Sequence, residues 1–279
     1  MDNHTAKSGL ISRMMIRLLP AQFLLAAVSS VNSIVCSLAA GNLLGAYTMS
    51  AVGLYLPVNM FLNAVIAMLQ GGTAIQSGKY IGENAREQMQ NAFSLNMIVS
   101  LLFSAVVTVV FLVLGTFNLT HLVTADPALQ DTFGDYLRGQ AVGVLPMVVG
   151  GQLSAFLSLE NRQKVTTAAT VSCVIVSLLA NLVFLRVLNL GAFGLALSTS
   201  VGMWMFFAIQ AVGFFGRRNG YRFSLSLHGL RWNDLGTILK VGLPGAVNFG
   251  YQAVRGLILN RLILQYAGTN GLSAFAAIW

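Results

Sequence analysis

The sequence predicts an all-α protein that crosses a membrane many times. Of its 279 residues, 56% are hydrophobic and 9% are charged, whereas soluble domains are about half apolar and about a quarter charged. The apolar residues form continuous runs of about 20 or more, which is the length that a helix needs to cross the hydrocarbon core of a bilayer. Transmembrane β-strands would instead alternate over about ten residues. These observations exclude a soluble globular domain.

Seven segments are long and apolar enough to span a bilayer, and we interpret the first as a retained helix because it exceeds the apolar core of a signal peptide. In chain order they cover residues 18–40, 51–75, 92–114, 136–157, 165–188, 192–215 and 238–266. The breaks between them contain Gly41-Asn42, Gly82-Glu83-Asn84, Asp126-Pro127, Glu160-Asn161-Arg162 and Asn189-Leu190-Gly191. An eighth segment opens near Leu272 and is cut off at Trp279.

Basic residues are concentrated on one side of the predicted membrane. Of the 16 lysines and arginines, 12 lie before the first segment, in the loops after the second, fourth and sixth segments, or, in the case of Lys240, at the start of the seventh segment. The opposite loops carry Asp126, Asp131 and Asp135. Because Lys and Arg near helix ends resist translocation, this asymmetry predicts a cell-membrane protein with a cytoplasmic N-terminus. It also accounts for the net charge of +8, so we expect no nucleic-acid partner.

The beginning of the chain recurs after the sixth segment. Leu18-Leu19-Pro20 matches Gly242-Leu243-Pro244, and a second match superposes Gly45 on Gly268 and Ser50 on Ser273. Six segments separate the copies, an even number, so both copies run in the same direction, as in parallel-repeat transporters. We therefore predict a six-helix lobe over residues 1–216, a basic cytoplasmic linker over 217–236, and an incomplete second lobe over 237–279. The rest of that second lobe is expected as a partner.

Five stretches of the sequence resemble the multidrug and toxic compound extrusion (MATE) family of secondary transporters. They are GNLLGAYTMSAVGLYLP from Gly41, GGTAIQSGKYIGENAREQMQNAF from Gly71, YLRGQAVGVLPMVVGGQLSAFLSLENRQK from Tyr136, NLVFLRVLNLGAFGLALSTSVG from Asn181 and ILKVGLPGAVNFG from Ile238. The resemblance implies two six-helix lobes around a central cavity in the lipid bilayer. It also implies export of small organic, often cationic, compounds in exchange for Na⁺ or H⁺, with no cofactor.

The sequence departs from that family where ion coupling is expected. The positions that align with carboxylates of other members hold Cys36, Leu185 and Gln252, and no carboxylate lies inside a predicted segment. A proton or Na⁺ carrier at mid-membrane usually needs an ionisable or anionic group. Coupling then resides in residues beyond Trp279, or carbonyl and amide oxygens hold the ion, or the mechanism has diverged.

Polar side chains inside the apolar segments are the candidates for a substrate or ion cavity, because each costs free energy in lipid unless it faces protein or water. We selected Gln22, Ser33, Cys36, Tyr55, Asn59, Asn63, Asn181, Asn248, Gln252 and Arg255. The alternative for each Ser, Asn or Gln is a hydrogen bond between helices. The alternative for Arg255 is that its guanidinium reaches outward to the membrane surface.

Two prolines are candidates for helix bending. Pro20 and Pro244 lie at equivalent places near the cytoplasmic ends of the first and seventh segments, and proline frees backbone carbonyl groups within a helix.

Three other functions were compared with export. A lipid-linked sugar flippase of a related fold would need several cationic residues for a diphosphate, and the segments offer Arg255 alone near mid-membrane. A seven-helix receptor or signalling subunit would place its N-terminus outside, against the charge distribution. A membrane-embedded enzyme would need an acid–base pair, a metal site or an activated nucleophile, and the sequence offers only scattered histidines and isolated cysteines.

Overall fold

The computed structural model describes residues 40–117, 119–215 and 232–278, and these ranges are almost entirely helical. They form six α-helices: α1, Ala46–Gly82; α2, Arg86–Thr116; α3, Pro127–Leu159; α4, Gln163–Leu182; α5, Gly191–Phe215; and α6, Trp232–Ile278. Shorter helical turns cover Ala40–Leu44, Leu119–Leu122 and Val183–Val187. Helices α1 to α6 correspond to the second to seventh predicted segments. Residues 1–39, 118, 216–231 and 279 lie outside the described residues. They include all of the first predicted segment except Ala40 and most of the predicted basic linker.

Asparagines make three of the predicted breaks between helices. Asn84, Asn161 and Asn189 have φ angles of 54°, 57° and 50°. This left-handed conformation disfavours most side chains, but asparagine tolerates it and can end a helix there. The sequence therefore located these three turns correctly.

The breaks around α1 and α3 have different causes. Asp126 begins α3 by accepting a hydrogen bond from the backbone N–H of Ala128, and Pro127 follows as the first helical residue, as in many helix N-termini. The predicted break at Gly41-Asn42 is wrong, because these residues belong to the π-helical turn Ala40–Leu44. The chain instead breaks at Gly45, whose φ of 86° and ψ of −177° are accessible to glycine.

Five of the described helices, α1 to α5, are long and apolar enough to cross a membrane. The α6 helix does not meet the same criterion of length and composition, although the sequence predicts a spanning segment there. Its polar and charged side chains, among them Asn248, Gln252 and Arg255, interrupt the apolar residues.

Burial in this bundle follows the pattern of a protein surrounded by lipid. The most apolar helix, α2, has the smallest buried share of its apolar stretch, 22%, whereas α3 has 56%. Large side chains on α2 face outward, with Leu102 and Val106 exposed by 58% and 61%. Such a face would be unfavourable in water but is favourable against acyl chains.

The helices pack as a bundle in which α3 lies centrally. It contacts α1, α2 and α5, while α4 packs on α5. The most extensive contact pairs α1 with α6, which runs antiparallel along it. Close approach of backbones makes this contact: a Cβ on Gly72 would lie 1.9 Å from the Ile238 carbonyl oxygen, and one on Gly242 would lie 1.9 Å from that of Met68. Glycine is therefore required at both positions.

Two apolar clusters hold the bundle together. One surrounds Tyr55, Leu137 and Leu185. The other lies toward the Gly82 end of α1, where the ring of Phe93 meets Phe156 edge-on at 4.8 Å and stacks on Phe214 at 5.5 Å. Aromatic pairs of this geometry add about 0.5–1.5 kcal/mol each beyond their buried area. The first cluster forms one wall of the polar cavity described next.

Candidate functional site

The middle of α1 carries three polar residues at a spacing of four. Tyr55, Asn59 and Asn63 therefore lie on one face of the helix. The hydroxyl of Tyr55 is hydrogen-bonded to the side chain of Asn59. Asn63 in turn donates from Nδ2 to the side-chain oxygen of Asn59 at 2.8 Å and to its backbone carbonyl at 2.9 Å. Asn59 is thus the centre of a short polar chain on α1.

A matching pair lies on α3, which faces α1. Gln140 donates from Nε2 to the hydroxyl of Tyr136 at 3.1 Å, and both residues are buried. The rings of Tyr55 and Tyr136 meet edge-on, with centroids 5.4 Å apart. Two tyrosine–amide pairs, one from each helix, therefore meet at the same level of the bundle.

The α5 helix completes the site by approaching α3 closely. A Cβ on Gly143 would lie 2.5 Å from the hydroxyl oxygen of Ser200, so only glycine fits there. Ser200 donates to the carbonyl oxygen of Gly139 at 2.7 Å and fixes the two helices together. This contact brings Thr199 and Met203 of α5 to the same cavity as Gln140.

The three helices enclose a cavity of about 250 Å³. Its lining consists of Val52, Tyr55, Leu56, Asn59, Tyr136, Gln140, Gly143, Val144, Met147, Thr199 and Met203. None of these lining residues is charged. Aromatic faces attract cations, and methionines adapt to irregular apolar shapes. Hydroxyl and amide groups can orient a guest that carries hydrogen-bonding groups.

Polar residues elsewhere in the second and fifth segments connect helices instead of lining this cavity, and the candidate Asn181 is one of them. Gln70, which continues the polar face of α1, donates to the carbonyl oxygen of Gly151 on α3. The side-chain oxygen of Asn181 on α4 accepts a hydrogen bond from Ser198 of α5 at 2.6 Å, with 4% of Asn181 exposed. Both contacts are of the kind that stabilises helix packing in membranes.

The candidates of the seventh segment lie on another side of the molecule. Asn248 and Arg255 are exposed on α6, and Gln252 is half-buried and donates to the side chain of Asn248 at 3.1 Å. Pro244 lies inside α6, whose non-helical residue is Gly268. The remaining candidates, Gln22, Ser33, Cys36 and Pro20, lie outside the described residues.

The resemblance implies a carboxylate near position 185, in the fifth helix of the lobe. This chain has a leucine there, and the surroundings of that leucine are apolar too. Leu185 is 7% exposed and packs in the same apolar cluster as Tyr55 and Leu137. A charge at this position would lack a partner in the cluster and would be costly. The described part of the chain holds no group of three or more His, Cys, Asp or Glu that could bind a metal ion.

Sequence reasoning identified Tyr55 and Asn59 but missed Tyr136, Gln140 and Thr199. A signal was present, because Gln140 is a polar residue four positions after Tyr136 in an apolar segment, as Asn59 is after Tyr55. What the sequence did not reveal is that these two faces are opposite each other.

Residues 20–183 match the MatE family, which is more than half of the chain. The chain belongs to the MatE family. Its matched region contains α1 to α4 and therefore most of the cavity lining. No match was found among curated proteins.

Solved MATE structures share the fold of this MatE chain. The inward-facing conformation of a multidrug resistance MATE family transporter of the MOP superfamily matches with a TM-score of 0.79 and 23% identity, over 89% of this chain and 56% of the other. A MOP superfamily transporter from Pyrococcus furiosus, described as having a binding pocket of reverse polarity, matches with a TM-score of 0.78 and 23% identity, over 95% and 58%. The chain therefore spans less than two thirds of the length of these proteins.

Proposed function

We propose that this MatE chain forms part of a secondary active transporter that exports small organic compounds across the cell membrane by alternating access. The uncharged cavity of about 250 Å³ between α1, α3 and α5 carries this proposal. Membership of the family and five helices able to cross a membrane support it.

The lining of the cavity favours amphipathic or cationic guests. The rings of Tyr55 and Tyr136 offer faces that attract a cation, and Met147 and Met203 offer a deformable apolar wall. Asn59 and Gln140 would orient polar groups of the guest. A diphosphate-bearing lipid, the substrate of a flippase, would instead require several cationic side chains, and this lining contains none.

We propose Na⁺ or H⁺ antiport as the energy source. Within the described residues, the cavity lining offers amide and hydroxyl oxygens but no carboxylate. Such oxygens can coordinate a cation without carrying a proton, so this lining is better suited to Na⁺ than to H⁺. A carboxylate elsewhere in the complete protein would allow either ion.

Asn248, Gln252 and Arg255 form a second candidate surface, because they share a face of α6 away from the Gly72–Ile238 contact. We propose that this face lines the central cavity between the two lobes, with residues 1–216 as the first lobe and 237–279 as the beginning of the second.

Transport of the fluorescent cation ethidium into everted membrane vesicles tests the proposal. The protein as it exists in its host membrane is compared with vesicles that lack it, under an imposed Na⁺ gradient or pH gradient. We expect uptake that requires one of the gradients and stops when an ionophore collapses it. Uptake that is equal in the two kinds of vesicles would overturn the proposal.

A further inference from the structure

Two glycines at equivalent positions of the sequence repeat have the same unusual backbone conformation. Gly45 has φ 86° and ψ −177°, and Gly268 has φ 63° and ψ −164°. Each glycine precedes a new helical stretch, which begins at Ala46 in the first copy and at Thr269 in the second. These dihedral angles are essentially confined to glycine, so each copy has the same break at the same place.

The two helical stretches that follow these glycines touch through equivalent positions. The sequence match that superposes Gly45 on Gly268 also superposes Gly53 on Ala276. A Cβ on Gly53 would lie 2.8 Å from the Cβ of Ala276. In a twofold arrangement, a residue contacts its own equivalent only at the symmetry axis. The pseudo-twofold axis of the repeat therefore passes through this contact.

The single hydroxyl proton of Ser50 is shared between two carbonyl oxygens, one from each copy. The Ser50 hydroxyl lies 2.9 Å from the carbonyl oxygen of Ala46 and 2.9 Å from that of Thr269, two residues that the repeat makes equivalent. Ser273, the equivalent of Ser50, donates only within its own helix in the described contacts, to the carbonyl oxygen of Asn270 at 2.8 Å. The chain thus contains a bridging serine and a matched serine that does not bridge.

Two further hydrogen bonds join the first copy of the repeat to the second, beside this contact. The hydroxyl of Thr269 donates to the Asp126 carboxylate at 3.0 Å, and Asp126 also caps the start of α3. Asn260, 5% exposed, donates to the carbonyl oxygen of Gly53 at 2.8 Å. A groove of about 850 Å³ lies beside these bonds, with Leu54, Asp126, Asn260, Arg261 and Thr269 among its lining residues. Exposed residues such as His121 and Val123 also line it, so it is already open at the predicted outer side, and Leu54 is buried at its inner wall.

We propose that the contact between residues 46–53 and residues 269–276 is the outer gate of the transporter, and that Asp126, Ser50 and Asn260 hold it closed. The inference rests on alternating access, the proposed function. It adds where the transporter closes on its outer side, namely at the contact on the pseudo-twofold axis of the repeat. Opening the gate breaks the hydrogen bonds of Thr269 and separates Gly53 from Ala276, so the buried side chain of Leu54 becomes accessible from the outer side.

The test measures how fast a thiol behind the gate reacts with a membrane-impermeant maleimide added outside intact cells. Leu54→Cys is the reporter, because Leu54 is 5% exposed and lines the groove. Cys36→Ser and Cys173→Ser remove the native thiols. We expect Ser50→Ala and Thr269→Val to raise the labelling rate about 2- to 10-fold, the population change expected for one lost hydrogen bond. Ser273→Ala and Thr269→Ser should leave the rate unchanged.

Equal rates for Ser50→Ala and Ser273→Ala would overturn the gate, as would labelling of Leu54→Cys only from the cytoplasmic side. A second variant, Asp126→Cys with Thr269→Cys, replaces the hydrogen bond by a disulfide. We expect oxidation to slow ethidium transport at least tenfold and reductant to restore it; transport that continues after complete oxidation would also overturn the gate. If the unmodified protein transports nothing, the proposed function fails, while the labelling rates still decide whether the gate exists.

Discussion

At the scale of single residues, the site depends on two tyrosine–amide pairs that face each other across α1 and α3. Asn59 bonds to Tyr55 and accepts from Asn63, so it links the pair on α1 to the next turn of the helix. Gln140 and Tyr136 repeat the arrangement on α3. The pairs fix the orientation of both rings, so the cavity is formed before a guest enters, which lowers the entropic cost of binding.

Replacing Asn59 by leucine should weaken binding of an organic cation. The change removes the partner of the Tyr55 hydroxyl and one orienting group of the lining. We expect the apparent KM for ethidium to rise about 2- to 10-fold, as for one lost hydrogen bond. Gln70→Met is the control, because Gln70 bonds to α3 through Gly151. It should lower thermal stability in detergent without changing KM, and a KM unaffected by Asn59→Leu would contradict the role of Asn59.

For single residues, the sequence predicted local features correctly but missed contacts between helices. It located the turns at Asn84, Asn161 and Asn189, because turn chemistry is local. It identified Tyr55 and Asn59 by their spacing, which is also local. It missed Gln140 and Thr199, because their role depends on α3 and α5 facing α1, and apolar runs do not encode which helices are neighbours.

At the scale of elements, the α1–α6 contact depends on glycines that allow backbones to meet. Gly72 and Gly242 each lie against a carbonyl group of the opposite helix, where a methyl group has no space. The sequence predicted both helices, but it did not predict that they pack along each other. All the described helices also extend beyond their predicted segments at one or both ends, since a helix can continue past the apolar region that periodicity detects.

Replacing Gly72 by alanine should destabilise this contact. The new methyl group would overlap the Ile238 carbonyl oxygen, and overpacking of this kind costs about 1–3 kcal/mol. Gly78→Ala on the same helix is the matched control, because no atom lies within 4 Å of its added Cβ. It should be neutral or stabilise the protein by about 0.5–1 kcal/mol. Thermal unfolding in detergent measures both, and equal melting temperatures would contradict the packing argument.

At the scale of the whole molecule, the sequence repeat and the backbone agree. The sequence match superposes Gly45 on Gly268, and the two residues have nearly the same backbone dihedral angles. We propose the division into lobes on the basis of this repeat. Charge asymmetry is the basis of the orientation.

Labelling of introduced thiols tests that orientation. Lys79 and Asp131 are both exposed, at the predicted cytoplasmic and outer ends of the bundle. In a background without native cysteines, Asp131→Cys should react with an impermeant maleimide on intact cells. Lys79→Cys should react only after the membrane is permeabilised. The reverse pattern would invert the topology and place the proposed gate on the cytoplasmic side.

The central claim is that the organic substrate occupies the cavity between α1, α3 and α5. Thr199→Phe tests it most directly, because Thr199 lines that cavity and a phenyl ring there would fill part of its volume of about 250 Å³. Gradient-driven ethidium uptake into everted vesicles should fall at least tenfold for Thr199→Phe and stay near the wild-type rate for Thr199→Ser at equal protein levels. Wild-type uptake by the phenylalanine variant would contradict the claim.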